Sequence, residues 1–92
     1  MTDLARRDVL RPNPEVIAKR LDQATVLVNI TTSHIFELNE TGTRVWEMLG
    51  QGLKVEQIVA QLVREFDVTS AQAGDEVDKL LLRLTAEGLL IS

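Results

Sequence analysis

Few side chains of this chain have both the type and the spacing that chemistry requires. His34 is the only histidine and there is no cysteine, so a usual zinc site or a histidine-centred proton relay lacks its other groups. Asp75, Glu76 and Asp78 cluster, but without the glycine and regular spacing of a calcium loop, and acids are favoured in the first turns of a helix anyway. The five glycines build no phosphate-binding loop. The sequence therefore predicts no catalytic residue, no metal and no cofactor.

The composition describes a small acidic domain. A chain of 92 residues, 45% hydrophobic and 26% charged, fits one folded domain. Its net charge of −4 weighs against nucleic acid, because duplex binding relies on clustered Lys and Arg. The apolar runs are too short to span a bilayer, and the first residues lack the apolar block of a signal peptide. We therefore expect a cytoplasmic protein with neither a nucleic-acid nor a membrane partner.

Three short strands are predicted in the first half of the chain. Val16–Leu21 is followed by a turn-prone Asp-Gln pair, and residues 25–30 are rich in β-branched side chains. Residues 34–38 form the third strand, with Phe36 and Leu38 on one face. Before them, residues 1–13 are polar and proline-containing, so we predict an N-terminal arm over 1–13 and a single domain over 14–92.

Three helices are predicted in the second half. Asn39 is a good N-cap for a helix running to about Leu49, and a helical apolar repeat runs from Val55 to Phe66. The third helix covers about 71–87 and ends at a glycine. Three strands followed by three helices predict an α+β fold, a winged helix-turn-helix-like unit with a three-stranded antiparallel sheet.

The third helix carries one leucine more than its core face needs. Leu82 lies outside the apolar stripe, beside Asp78 and Thr85. An exposed leucine often has no role, but Leu82 and the stripe edge at Leu81 could instead line a groove for an apolar partner segment. The acids of this helix outnumber its bases by two, which weighs against a DNA-recognition helix.

Several motifs follow one another in a characteristic order. The strand end Phe36-Glu37-Leu38-Asn39 leads into a helix containing Trp46, and Glu87-Gly88-Leu89 closes the last helix. Their order and spacing resemble the PqqD-like family, the peptide-recognition elements of ribosomal peptide modification systems. The resemblance covers about residues 14–91. It implies a non-catalytic module that binds the leader of a precursor peptide as an extra strand, between the third strand and the third helix.

The resemblance also implies particular partners and contacts. The partners would be the precursor leader peptide and a modifying enzyme, such as a radical SAM protein or a lasso-type protease or cyclase, with the chain a monomer or a homodimer. A winged-helix DNA-binding or transcription-regulatory protein, and a small enzyme subunit completed by another chain, stay open as rivals. The implied peptide contacts are Ile35, Phe36, Glu37, Leu38, Asp75, Asp78, Leu81 and Leu82.

Overall fold

Two antiparallel sheets and three helices make up the computed structural model, which describes residues 10–91. The strands are β1 (Arg11–Pro12), β2 (Val16–Leu21), β3 (Ala24–Asn29), β4 (Ile35–Leu38) and β5 (Leu90–Ile91), and the helices are α1 (Glu40–Gly50), α2 (Val55–Glu65) and α3 (Ser70–Ala86). The larger sheet has the order β2-β3-β4, and the three helices follow it. The predicted fold class, an α+β unit with a three-stranded antiparallel sheet followed by three helices, is confirmed.

The helix starts follow their capping residues. The Asn39 side chain accepts a hydrogen bond from the Gly42 N–H at 2.8 Å, which satisfies one of the free donors of the first turn of α1. Thr69 and Gln72 form a reciprocal capping box at the start of α3. Gly88, at φ +75°, ends α3 in the left-handed region that favours glycine.

The core lies between the helices and the inner face of the larger sheet. Leu27 of β3 and Leu38 of β4 are buried against apolar residues from all three helices and from the C-terminal segment. The outer face of the same sheet is open, and Ile17, Val28 and Ile35 form a cross-strand row on it. The fully or almost fully buried apolar residues are Leu27, Leu38, Val45, Met48, Leu49, Ile58, Leu62, Ala73, Val77, Leu81, Leu84, Leu89 and Leu90.

The last residues of the predicted N-terminal arm pair with the C-terminal segment. Residues 1–9 lie outside the described residues, but β1 pairs with β5, with Arg11 opposite Ile91. The Asn13 N–H also donates to the Leu89 carbonyl at 3.0 Å, and the Asn13 side chain donates to the Gly88 carbonyl at 2.9 Å. Proline is tolerated here because the pair is only two residues long and forms the edge of a sheet. Residues 11–13 therefore belong to the folded unit, as a terminal clasp made of β1 and β5.

An ion pair joins α1 to α2 and makes stability depend on pH. The Arg44 guanidinium meets the Glu65 carboxylate with two contacts, at 2.7 and 2.9 Å. The hydrogen bond from Arg44, helped by one from Gln61, lowers the pKa of Glu65 below its ordinary value of 4.5. A lowered folded-state pKa stabilises the fold above the unfolded-state pKa, and this contribution is lost as the pH falls through the folded-state pKa.

We expect Glu65→Gln to lower the free energy of unfolding at neutral pH by about 0.5 to 1 kcal/mol, because the pair is partly exposed. Urea unfolding of wild type and variant from pH 7 down to about pH 3 measures the difference. The two curves should converge at the acid end, once Glu65 is protonated in both states. A difference independent of pH would mean that the variant acts through packing instead.

Candidate functional site

Strand β4 has an unpaired edge. It is the last strand of the larger sheet, and its only strand partner among the described residues is β3. The Asn29 N–H donates to the His34 carbonyl, so this in-register pair is hydrogen-bonded. Because such pairs alternate along an antiparallel ladder, the N–H and C=O groups of Phe36 face β3. Those of Ile35 and Glu37 face outward, available to another strand.

A groove runs between this edge and α3. It encloses about 370 Å³, and its floor is apolar, formed by core residues shared with the rest of the domain. Arg83 lies over Phe36, and Glu87 Oε1, just after the helix end, lies 3.4 Å from His34 Nδ1. Because the later helix residue meets the earlier strand residue, α3 runs antiparallel to β4 here. The lining residues are Phe36, Glu37, Leu38, Asn39, Thr41, Gly42, Val45, Leu62, Glu76, Val77, Lys79, Leu80 and Arg83.

Gly42 brings the start of α1 close to β4. A Cβ atom built at this position would lie 3.2 Å from Leu38 Cδ2 and 3.3 Å from Asn39 Oδ1. Both distances are tighter than ordinary van der Waals contact, and Gly42 is itself buried. A side chain here would therefore displace its neighbours at the end of the groove.

Charged groups of both signs lie on the α3 rim of the groove. The Lys79 ammonium pairs with the Asp75 carboxylate at 3.0 Å. The Arg83 guanidinium lies 5.0 Å from the centre of the Phe36 ring, in a cation–π arrangement. No carboxylate within residues 10–91 forms an ion pair with Arg83. On this rim, the Arg83 guanidinium is therefore held by the Phe36 ring and not by a carboxylate.

The strand half of the predicted site lies at the groove. Phe36, Glu37 and Leu38 are all lining residues. The side chain of Ile35 points to the outer face of the sheet, where the residue is 71% exposed, so only its backbone faces the open edge. The family resemblance had implied the third strand as the one beside the peptide, and this strand, β4, is the one that borders the groove.

The helix half of the predicted site lies elsewhere. Asp75, Asp78, Leu81 and Leu82 are not among the described residues that line the groove. Leu81 is 2% exposed and belongs to the core, whereas Leu82 is 73% exposed. At about 100° per residue, the predicted face and the observed one lie on nearly opposite sides of α3. The observed groove residues of this helix are Glu76, Val77, Lys79, Leu80 and Arg83.

Sequence reasoning missed Leu80 and Arg83 because the apolar stripe of α3 has two edges. Leu80 forms one edge and is half-buried, and Leu81 forms the other and is fully buried. Periodicity alone does not say which edge faces β4. The usable signal was the charged neighbours of Leu80, since Glu76 and Arg83 fall at i−4 and i+3 and frame it on one side of the helix.

The described residues of the groove offer groups that are suited to binding a ligand. No cluster of three or more acidic, histidine or cysteine side chains within residues 10–91 is arranged to hold a metal ion. None of the helices in this range has the length and apolar character needed to cross a membrane. The groove instead combines exposed backbone donors and acceptors, an apolar floor and a charged rim. The fold and this groove together define the class of protein: a winged-helix-like α+β domain with an open strand edge.

Comparison with known protein families identifies the family of this chain. The sequence profile of the family described as "Coenzyme PQQ synthesis protein D (PqqD)" matches residues 24–90. Because the match spans most of the sequence, the chain belongs to the PqqD family, and the resemblance predicted from the sequence is confirmed. No curated protein sequence matches this chain significantly.

Two solved structures are similar in fold. One, described as "TbiB1 in Complex with the TbiA(beta) Leader Peptide", has a TM-score of 0.82 and 26% identity, over 87% of this chain and 93% of that chain. The other, "Lasso peptide synthetase B1 complexed with the leader peptide", has a TM-score of 0.83 and 22% identity, over 90% of this chain and 98% of that chain. The second likeness concerns the fold alone.

Proposed function

We propose that this chain is a non-catalytic binding module for the leader segment of a ribosomally made precursor peptide. The leader adds as a strand to the open edge of β4, packs its inward side chains against α3, and is thereby presented to modifying enzymes. The observation that carries the proposal is the open edge of β4 beside the groove. There, outward backbone groups of Ile35 and Glu37 lie next to an apolar floor.

Backbone pairing and side-chain packing have separate roles in this mode of binding. Hydrogen bonds to Ile35 and Glu37 would supply sequence-independent affinity, and the groove would select side chains at alternate positions. We expect an antiparallel leader, because every strand pair in the larger sheet is antiparallel and this pairing is slightly more stable per residue. Side chains opposite Phe36 and Leu38 then point towards α3.

The comparisons support a peptide as the occupant. The TbiB1 structure, at 26% identity, is a complex with a leader peptide, and its fold matches 87% of this chain. The rival DNA-binding function has less support, because α3 contains three acids and two bases. A recognition helix that approaches phosphates needs an excess of cations.

The partners follow from this role. The first partner is the precursor leader peptide. The second is the enzyme that modifies the precursor, which is a radical SAM protein or a lasso-type protease or cyclase. The chain itself acts as a monomer or a homodimer. We place the function in the cytoplasm, where ribosomes make the precursor.

The test is amide NMR with labelled protein and the leader of a precursor encoded beside its gene. We expect shifts at Ile35, Glu37, Leu80 and Arg83, and slower hydrogen exchange at the Ile35 and Glu37 amides, because these outward N–H groups become paired. The Phe36 amide is the internal control, since it already faces β3.

Two results would contradict the proposal. One is an unchanged exchange rate at Ile35 and Glu37 when the leader is saturating. The other is salt-sensitive binding of duplex DNA with no response to any leader, which would favour the winged-helix DNA-binding alternative.

A further inference from the structure

Arg83 occupies a special position in the groove. Its guanidinium lies over the Phe36 ring, and no acid within residues 10–91 forms an ion pair with it. Contact with an aromatic ring uses none of the five N–H donors of a guanidinium as hydrogen bonds to an acid, so these donors stay available to a ligand. The ring also restricts the rotamers of a long side chain, so less conformational entropy is lost when a ligand binds. Arg83 is therefore a preorganised donor for a carboxylate.

The charged residues around Arg83 restrict the position at which the groove attracts a carboxylate of the ligand. Glu76 lies on the same rim, two helical turns before Arg83. Glu87 lies one turn after Arg83 and faces His34 at 3.4 Å. Lys79 pairs with Asp75 in an exposed ion pair, which offsets part of its charge. An anionic group on the ligand is therefore attracted next to Arg83 and repelled by Glu76 and Glu87 on either side.

The pairing register with β4 determines which residue of the leader peptide lies next to Arg83. A leader residue opposite Leu38 faces the apolar floor near Val77 and Leu80. In an antiparallel strand, the residue opposite Phe36 comes two positions later and points to the same side, where Arg83 lies. The residue between them is opposite Glu37 and points to the outer face.

We propose that the groove selects leader peptides with an apolar residue followed two positions later by Asp or Glu, with Arg83 binding that carboxylate. This inference rests on the proposed strand addition and deepens it. An acid four positions after the apolar residue would come opposite His34, beside Glu87, and gains nothing from Arg83. Arg83 is thus a specificity-determining residue, and the apolar residue supplies the anchor.

The test is phage-display selection of random 12-residue peptides on the purified wild-type protein and on Arg83→Glu. Wild type should enrich an apolar residue with Asp or Glu two positions later. The Arg83→Glu protein should lose the acid and enrich Lys or Arg at the same position, with the apolar residue kept. Arg64→Glu, the same charge change on an exposed part of α2, is the matched control and should select as wild type does.

Binding of one selected peptide measures the size of the effect. Replacing its Asp by Asn should weaken binding to the wild type about 3- to 10-fold at low salt and less at high salt, as expected for a partly exposed pair. The same replacement should not weaken binding to Arg83→Glu. Thermal unfolding of each variant confirms that it is folded.

The outcomes separate the inference from the function on which it rests. Enrichment of apolar peptides without the acid, equally on wild type and Arg83→Glu, would overturn the role of Arg83 and leave strand addition standing. An acid preference unchanged in Arg83→Glu would overturn it too. Failure to enrich any peptide on the wild type would count against the proposed function itself.

Discussion

Replacing Glu37 by proline is expected to weaken leader binding strongly while the domain stays folded. Proline removes the N–H of Glu37, which faces the open edge, and puts a ring in the path of the incoming strand. The β3–β4 ladder survives because proline is tolerated where the N–H of an edge strand faces solvent. The unpaired partner carbonyl costs about 1–3 kcal/mol, which corresponds to a loss of affinity of roughly 5- to 150-fold.

Two control variants separate the backbone effect from other causes. Glu37→Ala removes the same side chain but keeps the N–H, so binding should stay close to that of wild type. Phe36→Pro removes an N–H that faces β3, so it should destabilise the domain itself. Isothermal titration with the leader, beside thermal unfolding, measures both quantities. Tight binding by a folded Glu37→Pro protein would falsify strand addition to β4.

The second large effect is expected in the core of α3. Leu84 is fully buried at the centre of the apolar stripe, so Leu84→Ala should lower the free energy of unfolding by about 2 to 5 kcal/mol. For a domain of this size, a change of that order is a large part of the total stability. Chemical denaturation with a constant m-value measures it.

Leu82→Ala is the matched control, because it is the same substitution in the same helix. Leu82 is 73% exposed, and surface substitutions change stability by about 0.5 kcal/mol or less. It also tests the face of α3 that sequence reasoning first favoured for the peptide. If Leu82→Ala weakens leader binding and Leu80→Ala does not, the groove described here is not the binding site.

The fold was predictable from the sequence because its signals are local. Asn39, Thr69 and Gly88 act through hydrogen bonds or backbone conformation within a few residues, and they mark helix boundaries wherever the chain places them. The apolar repeat of α2 likewise determines its own buried face. Three strands followed by three helices could be counted from such signals alone.

The groove was only half predictable because it depends on how elements pack. The alternation of β4 put Phe36 and Leu38 on one face without any tertiary information. The face of α3 that meets them depends on the rotation of a helix whose apolar stripe has two edges, and the exposed Leu82 favoured the edge that does not line the groove. The β1–β5 pairing was hidden for a related reason, since it joins segments from opposite ends of the chain.

The terminal clasp has a consequence for engineering. Because Arg11 lies opposite Ile91, the two ends of the described residues lie close together in space. Domains with adjacent ends are tolerated as insertions and as circular permutants. The unit could therefore be spliced into a surface loop of an unrelated enzyme as a single cassette. The host enzyme would then contain a binding site for any substrate that is fused to the leader peptide.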